Sequence, residues 1–543
     1  MVAPTEALIQ DRYPVTPLQH GMLFHGLQGG NPGVDIEQMV GELREDLDPE
    51  ALRRAWQTVA ARHAVLRTRF AWSEGGTPTQ EVLAEISVPF VVEDLRGTPA
   101  GTDPGETLRA YLASDRAPGF DAGVAPLWRV ALFRVGEADW RVVWTYSHTL
   151  LDNAFAFVLA EVDLAYEAAR NGQPLRFEER RPYREHCTWL ARHLDETRAD
   201  ATAFFRAMLA GFDTPTGLGP IARVEAPTTP PPQAGYATKA FRLSRATSDA
   251  LRSLKDEGIG VSVVVEAAWA LVLSAFDGTD DVVFGVTRNC RRSSVEGAEA
   301  MVGLFINTLP VRAKVDPAAP LLEWLRALRA QQTAIRPFEH TALVDVLAVA
   351  EVARGTPLFD TLLVYNDAHI DARMKALGPR WATRTLELHD QVSFPCSLMG
   401  YGDDELHFRV EYDPRRFDGA AMDRVADLTR AILEAIAKDP RCDVGDLPRL
   451  PERDSKRLLR EWQGPPSSGA GDPCVHRQFE TQVRKTPSKA AVVFRDASLT
   501  YAQLDARANR LAHELRAAGA GPGAMVGIFV ERSLEMVVRL VGI

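Results

Sequence analysis

Cysteine is scarce in this chain, and long apolar runs and an excess of basic charge are both missing. The five cysteines, Cys187, Cys290, Cys396, Cys442 and Cys474, stand far apart with no paired spacing. That excludes a disulfide scaffold and argues against a cysteine zinc site; free thiols in a reducing cytoplasm are the expectation. No window of about 18 uninterrupted apolar residues occurs, so no membrane span is expected. Met1 to Arg12 contains Glu6 and Asp11 and lacks a basic segment followed by an apolar one, which argues against secretion. Lys and Arg number 62 against 73 Asp and Glu, for a net charge of −11. Sequence-independent nucleic-acid binding needs a basic surface and is therefore not expected. A local basic patch for an acidic partner is still compatible with that total. No short internal repeat is visible.

What is present is the composition of a globular protein, 46% hydrophobic and 25% charged over 543 residues. At roughly 150 residues per domain, the length suggests three or four folding units. Two stretches read as linkers. One is the proline cluster at residues 226–232; the other is the Gly, Pro and Ser-rich run at 463–471. The expected blocks are 1–180, 181–450, a linker over 451–471 and a tail over 472–543.

Helical and strand patterns alternate through the first two blocks. Asp48 followed by Pro49 is a helix start, with Leu52, Trp56 and Val59 on one face. Trp128, Val130 and Leu132 alternate as a half-buried strand would, and so do Trp140, Val142, Trp144 and Tyr146. The expected class is mixed α/β (α+β), with sheets covered by helices.

The stretch from Trp144 to Asn153 carries the most chemistry. The strand is expected to end at Tyr146. A helix is expected to begin at Asp152, with Phe155, Val158, Leu159 and Val162 on one stripe, and to end near Asn171 and Gly172. Ser147 and His148 then sit on a short loop between strand and helix, where a rigid scaffold presents side chains. Histidine titrates near neutral pH and can accept or donate a proton. A lone loop histidine is, however, more often structural or solvated. A metal reading of His148 with Asp152 lacks a third ligand nearby.

Several segments, in order, resemble condensation domains of nonribosomal peptide synthetases. Tyr13 to His25 (YPVTPLQHGMLFH) resembles the family's opening motif, and Arg62 to Phe70 (RHAVLRTRF) its second. Residues 147–153 align with the His-His-x-x-x-Asp-Gly signature. Pro182 to Glu185 with Trp189, Val302 to Arg312 (VGLFINTLPVR), Arg336 to His340 and Thr356 to Asp360 follow in the family's order. The resemblance covers roughly residues 10–450. The tail, from Leu499 through Gly521-Pro522-Gly523, an apolar strand over Met525 to Val530 and a helix opening at Glu531, resembles the beginning of an adenylation domain. Later adenylation motifs are absent, so the chain is expected to be a fragment of a larger protein and its tail not to activate an amino acid.

The resemblance implies two chloramphenicol-acetyltransferase-like lobes in a V-shaped pseudo-dimer with a central tunnel. Donor and acceptor peptidyl carrier proteins would present substrates on phosphopantetheine arms, with no cofactor bound directly by this chain. The rest of an adenylation domain and its module would be further partners. His148 takes the catalytic position and would orient the amine or take its proton. Asp152 is implied to be structural, paired with Arg291 from the second lobe.

Two positions depart from the signature: Ser147 replaces the first His, and Asn153 replaces the Gly. Asn153 places a polar side chain where the family leaves room. A noncatalytic platform that recruits a carrier protein or a tailoring enzyme, or modification of the tethered residue such as dehydration, therefore stands beside condensation. Epimerisation fits less well, because the opening motif and the following adenylation start belong to a different arrangement. The Thr16 to His25 segment is similar to subtypes that accept a D-configured donor.

Overall fold

The structure, a computed structural model, describes residues 8–27, 33–72, 78–96, 103–222, 236–376, 378–391, 393–462 and 474–543. Both glycine- or proline-rich runs, 226–232 and 463–471, lie outside the described residues. The chain divides into two units, Met1–Glu452 and Arg453–Ile543.

In the first unit, the N-terminal lobe is built from β1 (Ile9–Pro14), α1 (Pro17–Leu27), β2 (Ile36–Leu43), α2 (Pro49–Arg62), β3 (Thr68–Trp72), β4 (Pro78–Leu83), β5 (Phe90–Asp94), α3 (Pro104–Arg116), β6 (Trp128–Arg134), β7 (Trp140–Ser147) and α4 (Phe155–Asn171). The expected start of α2 is present. Asp48 Oδ1 accepts from the amides of Glu50 at 2.9 Å and Ala51 at 3.0 Å, satisfying donors the first turn leaves free. Leu52, Trp56 and Val59 are buried on the inner face. Trp56 meets Trp128 and Trp144 with ring centroids 5.5 and 4.9 Å apart, so α2 is fastened to the two alternating strands by large apolar surfaces.

The C-terminal lobe follows with α5 (Tyr183–Leu209), β8 (Ala237–Arg242), α6 (Arg245–Ser253), α7 (Val261–Asp277), β9 (Asp281–Asn289), β10 (Ile306–Lys314), α8 (Leu321–Ile335), α9 (Leu343–Leu347), β11 (Thr361–Asn366), α10 (Ile370–Lys375), β12 (Thr385–His389), β13 (Cys396–Tyr401), β14 (His407–Tyr412) and α11 (Gly419–Lys438). Its sheet has the order β10-β9-β11-β13-β14-β8, with β11 parallel to both β9 and β13. Helix α7 is apolar nearly all round and buried along most of its length, as a helix packed between a sheet and other helices must be. These are the mixed α/β layers of chloramphenicol-acetyltransferase-like lobes.

One strand crosses between the lobes. β12 pairs antiparallel with β2, Leu388 opposite Met39, giving the N-terminal sheet the order β12-β2-β7-β6-β5. Ile370, Met374, Trp381 and Leu386 enter the same core as Met39 and Trp56. The block expected to begin at residue 181 thus supplies part of the first block's sheet and core.

Three local expectations are corrected. The helix expected at Asp152 begins at Phe155, because the Asp152 carboxylate is drawn into contacts described below and residues 152–154 bend around them. The stretch 451–471 is not linker throughout: Glu452–Arg460 forms α12, a charged helix of good helix formers with no buried residue. In the second unit, α13 (Val475–Lys485), the hairpin of β15 (Ala490–Phe494) and β16 (Ala497–Thr500), α14 (Tyr501–Ala517) and α15 (Leu534–Gly542) surround a small core of Leu499, Leu504 and Val538. Thr500 and Gln503 form a capping box on α14. The apolar run Met525 to Val530 forms no strand, since nothing among the described residues pairs with it; Met525 and Phe529 stand fully exposed. Among the described residues no single helix is long and apolar enough to cross a membrane, and no cluster of His, Cys, Asp and Glu is placed to hold a metal.

Candidate functional site

Strand β7 delivers the loop. Its last residue, Ser147, lies opposite Ile36 of β2, one residue beyond the expected end of the strand. Ser147 is buried, and its Oγ lies 2.7 Å from Thr149 Oγ1. Its amide donates to Leu127 O at 2.9 Å. A hydroxyl at this position is thereby absorbed into the scaffold, away from chemistry. The opening motif buttresses the next turn: Gln19 Nε2 donates to Thr149 O at 2.8 Å and to Gln80 Oε1 at 3.1 Å.

His148 is held from three sides. Its amide donates to Asp35 O at 2.8 Å. Its ring Nδ1 lies 2.8 Å from Leu151 O and 2.9 Å from Glu37 Oε1. A carbonyl oxygen can only accept, so Nδ1 carries a proton and Nε2 is the nitrogen left for the cavity. Burial would lower the imidazole pKa, but the adjoining Glu37 carboxylate, with Asp35 adding to it, outweighs that and raises it to about 10. Burial in turn pushes Asp35 up to about 6, with the nearby His148 charge acting in the opposite direction. Asp35 also adopts a left-handed backbone, φ 58°, and its amide reaches Gln391 O at 3.0 Å.

Asp152 lines the same cavity, but its carboxylate is engaged elsewhere. Its Oδ1 accepts from Arg291 Nη2 at 2.5 Å and from the Ala154 amide at 2.9 Å; its Oδ2 accepts from the Phe305 amide at 2.9 Å. Arg291 completes its own donors on Ala298 O and Met301 O, both at 2.8 Å, and lies 4.2 Å from the Phe305 ring centroid. Both side chains are buried. The Val302 to Arg312 motif explains itself here. A Cβ on Gly303 would collide with the Tyr183 ring, so only glycine lets that backbone approach.

Asn153 reaches across to the other lobe. Its Nδ2 donates to Asn366 Oδ1, at the end of β11, at 3.2 Å. His148, Asn153 and Asn366 line one cavity of about 1120 Å³ between the lobes, along with Thr308, Asp390 and Arg409. Ser147 is not part of its lining.

Glu37, Asp35 and Asn366 are the site residues the sequence did not announce. Glu37 sits in a strand that reads as ordinary sheet, and only the pairing of β2 with β7, Glu37 opposite Tyr146, brings it beside the loop.

A family model described as "Condensation domain" matches residues 9–459, and one described as "AMP-binding enzyme" matches 479–543. One of the proteins that make up the linear gramicidin synthase of Brevibacillus parabrevis is 35% identical over 98% of this chain and 7% of that protein. Across three such gramicidin synthase proteins, the chain spans 7 to 11% of the relative's length. Among solved structures, the X-domain from teicoplanin biosynthesis aligns with a TM-score of 0.67 at 22% identity, covering 82% of this chain and 99% of that one. The first condensation domain of the calcium-dependent antibiotic synthetase, in complex with a substrate analogue, aligns with 0.64 at 18% identity, covering 81% and 99%. At these identities the two structures speak for the fold.

Proposed function

The chain belongs to the condensation-domain family of nonribosomal peptide synthetases, and from that premise we propose that its cavity joins a donor acyl or peptidyl thioester to the amine of an acceptor aminoacyl thioester. Donor and acceptor peptidyl carrier proteins would deliver both substrates on phosphopantetheine arms, with the remainder of an adenylation domain and module as neighbours. The observation that carries this reading is His148, fixed through Nδ1 with Nε2 left toward a cavity of about 1120 Å³. Hydroxyl and amide groups of Thr308 and Asn366 in that cavity suit amide-bearing arms. Holding amine and thioester in line there would supply several kcal/mol of barrier reduction by proximity alone. Asp152 and Arg291 keep the loop in place and take no part in bond formation.

The altered signature favours one competing reading, a recruitment platform that binds carriers without turnover. Asn153 fills a position that the family leaves open and ties it to Asn366. One experiment separates the two. Loaded donor and acceptor carriers are incubated with the chain, and acceptor carriers are weighed intact by mass spectrometry. Condensation gives an acceptor heavier by the donor acyl group, with His148→Ala reducing the yield by about 100-fold, the scale of losing a positioned acid–base group. Equal product from wild type and His148→Ala overturns the role of His148. Carrier affinity without product in wild type favours the platform, and product appearing only in Asn153→Gly assigns the block to that side chain.

A further inference from the structure

His148 is the group a sequence reading reaches; the residue that decides what its ring can do lies on another strand. Glu37 is buried on β2, and its Oε1 sits 2.9 Å from His148 Nδ1. The same nitrogen is within 2.8 Å of Leu151 O. The segment before β2 adds a second hold, since the His148 amide donates to Asp35 O. The single Nδ1–H that faces both acceptors is present in the neutral tautomer and in the cation alike, so the charge of Glu37 is what distinguishes them. A buried carboxylate in addition favours the cation, because the two charges compensate each other where water cannot.

Building on the condensation reading, we infer that Glu37 is a positioning residue that keeps His148 doubly protonated, so that Nε2–H acts as donor and acid toward the thioester before the ring acts as base. The amine must arrive neutral. Its lone pair forms the C–N bond while Nε2–H donates to the carbonyl oxygen as that oxygen gains charge. The C–S bond then breaks with its electron pair on sulfur, and sulfur takes the Nε2 proton. The ring, now neutral, takes the proton shed by the amide nitrogen. Products are an amide and a thiol, and His148 ends in the charge state in which it began. The balance of burial against the Glu37 and Asp35 charges agrees with a ring that stays charged at neutral pH.

Other charged groups face the same space. Asp35 adds negative charge from the loop before β2, and Asp390 and Arg409 line the cavity together with His369 and Tyr401. Arg409 lies 2.7 Å from Asp390 and 2.5 Å from Glu411, so these charges are engaged with one another. Asp152, from the same loop as His148, is committed to Arg291. Glu37 is the carboxylate in contact with the ring.

The test has two readouts on the intact chain. The first is NMR titration of 15N-histidine-labelled protein, with the His148 signals assigned by their loss in His148→Ala. Wild type is expected to show a doubly protonated ring from pH 6 to 8.5, and Glu37→Gln a ring that becomes neutral within that range. Glu37→Asp, which retains a carboxylate, is expected to keep the ring charged beyond pH 7 and serves if the Gln variant does not fold. A neutral wild-type ring at pH 7.5, or the same titration in Glu37→Gln, overturns the inference. The second readout is the rate ratio of Glu37→Gln to wild type in the condensation assay. It is expected to be about one tenth at pH 8 and to rise toward one as pH falls to 6.5 and the variant ring recharges. A ratio that is flat with pH, or that rises with pH as for a base, overturns it. If wild type forms no amide at any pH, the condensation reading fails, while the titration still decides what Glu37 does to the ring.

Discussion

Asp152 shows how much one side chain can hold. Two oxygens meet the Arg291 guanidinium and the amides of Ala154 and Phe305, so the carboxylate ties the loop of one lobe to two segments of the other. Because the pair is buried, removing one partner leaves the other charge without compensation. Asp152→Ala is expected to destabilise the first unit by about 3–5 kcal/mol in urea unfolding. Adding Arg291→Leu to it should cost less than the two single changes summed, since the second change removes the stranded cation. Full additivity would show that the pair does not act as a unit. At this scale the sequence was informative only where a resemblance supplied a partner. Spacing alone cannot connect residue 152 to residue 291. Nor could it raise Glu37, whose only local signature is a polar position in a strand.

At the scale of elements, the strand pattern and the caps were legible because they depend on near neighbours: Asp48 with Pro49, and the alternation in β6 and β7. The strap formed by α10 and β12 was not, because its apolar residues are satisfied in a core built by residues far earlier in the chain. Its entry is fastened electrostatically. Buried Arg384 places Nη2 2.7 Å from Glu45 Oε1 and Nη1 2.8 Å from Asp163 Oδ1, with Trp381 stacked 4.9 Å from its guanidinium. Glu45 and Asp163 are partly exposed, so water can serve them when the arginine is lost. Arg384→Ala should therefore cost only about 1–3 kcal/mol. Its effect should be local: faster amide hydrogen exchange over residues 385–389, with β6 and β7 still protected. Uniformly faster exchange in the whole N-terminal sheet would show that the strap opens only together with that sheet.

For the molecule as a whole, the loop bearing His148 belongs to one lobe, but its geometry depends on both. Asn153 to Asn366, Asp152 to Arg291 and β2 to β12 all cross the boundary that composition would draw near residue 180. A sequence-level count of domains treats each block as able to bury its own core. Here the first block lacks Met374, Trp381 and Leu386, and without β12 it presents β2 as an open edge. The consequence can be tested by cutting. Residues 1–180 expressed alone should be largely insoluble, or should bind a hydrophobic dye as a loosely packed state, because apolar surface around Met39 and Trp56 is uncovered. Co-expression with 181–452 should restore a soluble pair that co-purifies and shows a single cooperative melt. A stable, cooperatively folding 1–180 fragment would mean that the crossing strand is dispensable. His148 would then be positioned by its own lobe, through Glu37, Asp35 and Leu151, and the second lobe would contribute the far wall of the cavity alone.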